Sequence, residues 1–309
     1  MAGGHGADRA MIDPVTLEIL GHQVRAAAEE MGIALSRTAR TTYVREAADF
    51  GTALATPAGK FFGYPAALGV SGFLDLDAGP ALRAAGPFDP GDVVITNHPY
   101  DSGGLSSHMP DLQLLRPYFH GPDIVAVGWA FTHTADIGGM VPSSIAPDLD
   151  ELFQEGLILP PLKLVRAGTL NADVVTLYKA NCRMPEANFG DIQAMLTALE
   201  TGARCVADLI AQHGPERFRD AQGALAGYTR AKARAVRRRI PDGTAVFWDY
   251  LDDDYVSKIP VRIRCAMTAR DGDLHLDFTG TDPQLPAAYN VPTGGTRHPW
   301  LTLRLMQFM

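Results

Sequence analysis

Two hydrophobic rhythms run along the chain, and each switch between them marks an element boundary. "DPVTLEILGHQVRAAAEEMGIALSRTA" places Val15, Ile19, Leu20, Val24, Ala27, Ala28, Met31 and Leu35 at helical spacing, with Asp13 as N-cap and Pro14 in the first helical position. Strand-like alternation follows: "DFGTALATPAGKFFGYP" reads as two short strands around a Pro-Ala-Gly turn, and a helix is expected near Leu74 to Ala85. "GDVVITNHPY" reads as a buried strand running into the polar loop "NHPYDSGGLSSHMPD". "LQLLRPYF" and "DIVAVGWAFT" read as two strands separated by the turn signal "HGP". Beyond the loop "ADIGGMVPSS" and the stretch "DELFQEGLILPPLKLV", two helices are expected over Phe189 to His213 and Pro215 to Arg239. The chain then returns to strands in "AVFWDYLDDD", "KIPVRIRCAMTAR" and "DLHLDFTG".

This succession predicts an α+β protein with mixed or antiparallel sheets, flanking helices and two subdomains. Residues 1–12 read as a disordered lead-in and 13–240 as an α+β domain ending in a helical pair. Residues 241–309 read as a β-rich domain, divided from the first at Ile240-Pro241-Asp242-Gly243. "RHPWLTLRLMQFM" ends apolar with no stop signal, so an incomplete C-terminal domain is expected.

Composition narrows the function. The 309 residues, 46% hydrophobic, are enough for one large core or two smaller ones. A net charge of −8 argues against a nucleic-acid partner, whose phosphates demand clustered positive charge. The basic run "RAKARAVRRR" falls at a helix end, where cations complement the dipole, and reads as a solvated face. Cys182, Cys205 and Cys265 are scattered, which fits neither a disulfide framework nor a zinc–thiolate site, and they are read as buried thiols. With no signal-peptide pattern and no stretch long enough to span a bilayer, a cytoplasmic protein without membrane contact is expected.

The candidate chemistry lies in a repeated tetrapeptide, "HMPD" at His108 to Asp111 and "HTAD" at His133 to Asp136. If the intervening segment is a hairpin with a loop of about 2–5 residues, both copies sit at its open end. Asp111 then faces Ala130 or Thr132, and His133 faces His108 or Pro110. Either motif alone reads as an ordinary strand-end cap. Together, two imidazoles and two carboxylates suit a divalent cation such as manganese, zinc or iron, and a metal-free His/Asp general base is the other use of the same groups. Glu155 in "FQEG" is a candidate general base or an ordinary surface carboxylate, and Asp101 in "HPYDSGG" a further ligand or a turn residue; one of the two would be the proton carrier. Arg45, Glu46 and Asp49 would hold an anionic substrate or form an ion-paired turn, and Asp252 to Asp254 read as a solvated turn. "TGGT" at Thr293 to Thr296 is not a phosphate loop, and no GxxxxGK[ST] pattern occurs in the chain.

The order "RTARTTYVREAADFGTAL", "GDVVITNHPYDSGGLSSHMPDLQLLRPYF", "FTHTADIGGMVPSS", "FQEGLILPPLKL", "NCRMPEANFGDIQA" and "LHLDFTGTDPQLPAAYNVP" resembles the hydantoinase B/oxoprolinase family, from about Pro14 onward. The resemblance implies one component of an ATP-dependent enzyme whose hydantoinase A-type partner binds ATP and phosphorylates the substrate oxygen. It implies hydrolytic ring opening of a cyclic amide, or, as in ketone carboxylase members, carbon–carbon bond formation; a truncated assembly component is a third reading. The paired HxxD motifs match those of manganese-carrying acetone carboxylase large chains, which implies a metal at His108, Asp111, His133 and Asp136. Two departures stand out. Many members carry a histidine where this chain reads "GYPAALGVSG", and members are substantially longer.

Overall fold

The protein is described here as a computed structural model covering residues 12–66, 76–295 and 298–301. The expected lead-in, the first residues of the helix expected from Leu74, most of "GYPAALGVSG" and most of the apolar ending lie outside the described residues. Helix α1 (Pro14–Thr38) starts as its sequence demands, with Asp13 Oδ1 accepting the Thr16 N–H at 2.9 Å. Its buried stripe runs from Leu20 through Val24, Ala28 and Met31 to Leu35, whereas Val15 and Ile19 face solvent. Short α2 (Thr42–Arg45) leads into β1 (Phe50–Ala55) and β2 (Phe61–Gly63), then α3 (Gly79–Ala85) and β3 (Val93–Thr96).

The central hairpin is β4 (Asp111–His120) and β5 (Asp123–His133), closed by Gly121-Pro122 with Gly121 at φ 59°. After α4 (Leu152–Glu155), β6 (Leu162–Arg166) and β7 (Thr169–Leu170) complete a seven-stranded sheet ordered β2-β1-β5-β4-β3-β6-β7, antiparallel at every pairing. Helices α5 (Ala172–Asn181), α6 (Pro185–His213) and α7 (Pro215–Arg237) follow. A second, three-stranded sheet is made by β8 (Gly243–Leu251), β9 (Val261–Arg270) and β10 (Asp273–Asp277), with β9 in the middle. The architecture is the expected α+β.

Alternation along β4 and β5 divides the large sheet between two cores. Leu112, Leu114, Tyr118, Ala126 and Ala130 pack with the inner faces of α1 and α6, while Leu115, Val127, Trp129 and Phe131 pack with α3 on the other side. The Tyr118 hydroxyl donates to the Leu199 carbonyl of α6 at 2.7 Å. Gly128 and Gly202 leave room for it, since a Cβ at either would collide with that hydroxyl.

The hairpin register departs from the expected one by a β-bulge. Near the turn Phe119 pairs with Ile124, but Tyr118 pairs with Ala126, so Val125 is the extra residue. From there to the open end every pair is displaced, and Asp111 faces His133 directly. Val125 is buried, and its carbonyl accepts the Gln222 side-chain amide of α7 at 2.8 Å.

Two sequence readings need correction. Arg237, in the run read as a solvated helix end, is 3% exposed and donates to the carbonyls of Asp273 and Ile240, joining α7 to the second sheet. Asp254, read as part of a solvated turn, is buried and accepts the backbone N–H groups of Val256, Ser257 and Lys258. The three cysteines are free thiols, of which Cys182 alone is fully buried. Among the described residues no helix is long and apolar enough to cross a membrane.

Replacing Gln222 with leucine strands the buried Val125 carbonyl without a donor. Urea denaturation of Gln222→Leu is expected to show a loss of about 1–3 kcal/mol, whereas an unchanged midpoint would mean the bulge holds itself.

Candidate metal centre

The two HxxD segments meet at the hairpin mouth. The loop from Asn97 to Pro110 brings one of them, and a buried asparagine holds that loop in place. Asn97 Nδ2 donates to the carbonyls of Met109 and Leu157, at 2.8 and 2.9 Å, and its Oδ1 accepts the Leu159 N–H at 2.7 Å. One side chain thus ties the His108 loop to the segment that follows Glu155. This clamp was not evident from sequence, because its partners lie far along the chain.

Asp111 opens β4 and is 3% exposed. Its Oδ1 lies 3.0 Å from His108 Nε2, and its Oδ2 accepts both the Ser107 N–H at 2.9 Å and the Ser107 hydroxyl at 2.7 Å. Burial works against its charge, but His108 and Ser107 together hold the carboxyl below the usual carboxylate range. Burial likewise opposes the charge on His108, yet the fields of Asp111, Glu155 and Asp49 raise it overall.

His133 closes β5, and its backbone N–H donates to the Asp49 carbonyl at 3.1 Å. Its ring lies between two others, with centroids 4.7 Å from Tyr43 and 5.0 Å from His108. Burial, reinforced by the charge on His108, pushes it down to about 4. Its Nδ1 is buried with no hydrogen-bond partner among the described residues. Donor atoms of His108, Asp111 and His133 all lie within 4.8 Å of one another, so each could offer one ligand atom to a single cation.

Asp136 goes elsewhere. Its Oδ1 accepts the Gly138 N–H at 2.8 Å, its Oδ2 accepts the Ser143 N–H at 2.9 Å, and Arg183 Nη1 lies 3.1 Å from Oδ2. Burial opposes this charge too, but those amides and the guanidinium hold the carboxyl below its ordinary value. Arg183 also donates to the carbonyls of Gly138, Gly139 and Val141. Asp136 therefore braces the loop beyond His133 and does not join the three converging residues.

Asp49, weighed in the sequence as an anion holder or turn residue, faces the cluster. Burial and then the Asp111 charge push its carboxyl up, while His108 opposes the rise. Glu155 ends α4, and its Oε2 accepts the Met109 N–H at 2.8 Å. Burial is the main reason it is held above the usual range. Glu155, His108, Ser107 and Asp101 line one open cavity of about 1110 Å³, whose far wall is formed by residues 284–295. Asp101 stands at the rim, mostly exposed, beside His98.

The geometry can be set beside known proteins. A sequence model described as hydantoinase B/oxoprolinase matches residues 13–307. The B component of a D-/L-hydantoinase from Pseudomonas sp. (strain NS671) is 30% identical over 306 residues, which cover 94% of this chain and 50% of that protein. The crystal structure of ATP-dependent caprolactamase from Pseudomonas jessenii superposes with a TM-score of 0.77 at 26% identity, covering 89% of this chain and 47% of that one. A nucleotide-free acetone carboxylase structure superposes with a TM-score of 0.81 over 96% of this chain and 40% of that one. At 19% identity it shows a shared fold alone. The chain spans about half the length of some of the curated relatives it matches and about a quarter of others.

The bracing role of Asp136 has a pH signature. Its folded carboxyl is held below the unfolded value of about 3.9, so its stabilising contribution is present above that pH and is lost as the pH falls through the folded value. Asp136→Asn is expected to cost about 1–3 kcal/mol in chemical denaturation at pH 7. The deficit against wild type shrinks as the pH falls below the unfolded value, and a deficit that stays constant with pH would contradict this account.

Proposed function

The chain belongs to the hydantoinase B/oxoprolinase family, and from that premise we propose that it carries the ring-opening centre of an ATP-dependent cyclic amidohydrolase. It works with a hydantoinase A-type subunit that holds ATP and activates the substrate oxygen. The observation that carries this reading is the buried convergence of His108, Asp111 and His133, with one ring nitrogen of His133 left unpartnered among the described residues. A buried polar atom without a partner is rare in a purely structural cluster. Here it sits beside an ionised carboxylate and a second imidazole, a donor set that fits manganese, zinc or iron.

His108, Asp111 and His133 would hold the cation, with Glu155 and Asp49 the further carboxylates whose charges act on His108. When bound, such an ion supplies positive charge that polarises a carbonyl or phosphoryl oxygen and lowers the pKa of water. The remaining work falls to the chain itself. Ser107 fixes the Asp111 carboxylate by two hydrogen bonds, and Tyr43 fixes the plane of His133. Glu155 has its carboxyl pushed up toward neutrality and lines the same cavity as His108. A carboxylate made more basic in this way takes a proton from attacking water and returns it to the ring nitrogen that leaves. Asp101, more exposed at the rim, is a second place for that proton on its way to solvent. The names of the relatives support a cyclic amide as substrate and a multi-subunit assembly, since they include the B component of a hydantoinase and the β chain of a caprolactamase.

Elemental analysis and titration of metal-stripped protein test the centre. His108→Ala, Asp111→Asn and His133→Ala are each expected to weaken binding at least about tenfold, and Asp136→Asn is expected to leave it near wild type. Equal weakening by Asp136→Asn would restore a four-ligand set, and wild-type protein with no bound metal would end the proposal. With an A-type subunit present, ATP-dependent ring opening without bicarbonate incorporation is expected. Bicarbonate incorporation would assign the carboxylase reaction instead, and metal binding without turnover would favour an assembly role.

Glu155 gives a separate readout. Glu155→Gln is expected to keep metal affinity and lower kcat by about a hundredfold, and a variant with wild-type kcat would remove Glu155 from proton transfer.

A further inference from the structure

The last described segment, residues 298–301, carries one more buried histidine. His298 is 3% exposed, and its two ring nitrogens have different surroundings. Nδ1 accepts the Trp300 backbone N–H at 3.3 Å, in a turn that the Leu301 N–H closes on the His298 carbonyl at 3.1 Å. A ring nitrogen that accepts a hydrogen bond is unprotonated, so the proton of the neutral imidazole is on Nε2. Nε2 is buried and has no partner among the described residues.

The Cδ2–Nε2 edge of the ring faces Gly104, in the loop that carries Ser107 and His108. A Cβ added at Gly104 would lie 3.3 Å from Cδ2 and 3.6 Å from Nε2. Burial keeps His298 below the ordinary imidazole value and hence uncharged, while the Asp111 carboxylate acts on it in the opposite sense. That carboxylate belongs to the candidate centre.

We propose that His298 is the neutral hydrogen-bond donor of this centre, its Nε2–H directed at the carbonyl oxygen of a cyclic amide bound beside His108, Asp111 and His133. The inference rests on the ring-opening reading above and adds a residue to it. His298 is not a metal ligand in this role, because a protonated ring nitrogen has no lone pair to give. Activation by the A-type subunit puts a negatively charged phosphoryl group on that oxygen. A donor fixed in place beforehand strengthens its hydrogen bond as that charge arrives.

The test follows the histidine ring nitrogens by two-bond 1H–15N NMR while metal-free and zinc-loaded protein are titrated with 2-pyrrolidinone, a neutral lactam. His298→Phe identifies the resonance. Nε2 of His298 is expected to be protonated in both forms and to shift as lactam binds. His298→Phe is expected to take up zinc as wild type does and to bind lactam about tenfold more weakly, and His298→Gln, which restores an N–H donor, recovers most of that loss. An unprotonated Nε2, a move into the metal-bound range on zinc addition, or no lactam-induced shift in either form overturns the proposal. Wild-type protein that takes up no zinc removes the cation from the ring-opening reading, and the metal-free titration still decides the role of His298.

Discussion

The candidate centre depends on a single extra residue. Without Val125 in the β5 strand, the pairing set at the Gly121-Pro122 turn would continue to the open end and place Asp111 opposite Thr132 and His133 opposite Pro110. Side chains alternate between faces along a strand, so Asp111 and His133 would then point to opposite sides of the sheet. The bulge moves them onto the same face, beyond Leu115, Trp129 and Phe131. The hydrogen bond from Gln222 to the Val125 carbonyl satisfies the group that the broken ladder would otherwise strand. A helix on one side of the sheet thus fixes the geometry of a site at its far end.

Once the face is set, electrostatics divides two neighbouring imidazoles. Their rings are 5.0 Å apart, yet His108 is raised by three carboxylates while His133 is held neutral by burial. Both cannot be charged cheaply so close together. The carboxylates are divided as well. Asp111 is held below the usual carboxylate range by His108 and then Ser107, whereas burial pushes Asp49 and Glu155 above it. Neighbouring groups whose hold on a proton is shifted in opposite directions suit proton transfer.

Sequence spacing revealed what is local. Asp13 and Pro14 set the start of α1, and the "HGP" turn placed the strands on either side of it. The pairing of the two HxxD motifs at one hairpin mouth followed from that turn alone. The register did not, because the bulge is held by Gln222, which lies 97 residues from Val125. The surroundings of Asp136 were hidden for the same reason: the HTAD motif gives no sign of Arg183, which is 47 residues away. Asn97 and His298 were unreadable as site residues, since the first acts through backbone groups of two other segments and the second arrives from the far end of the chain. Exposure also escaped the pattern. "AVFWDYLDDD" reads as a strand, and the spacing gives no sign that every residue of β8 is exposed.

The Tyr118 hydroxyl has a consequence for how this chain tolerates change. It occupies the space kept open by Gly128 on the next strand and Gly202 on α6, and it belongs to the residue where the register shifts. Gly202 touches nothing in the candidate centre, and by position alone it would pass for a neutral helix site. A methyl group there would press on both the Tyr118 hydroxyl and the Met31 sulfur. Substitutions at 118, 128, 202 and 222 are therefore coupled and their effects non-additive, so drift at these four positions is inherited as a set or lost.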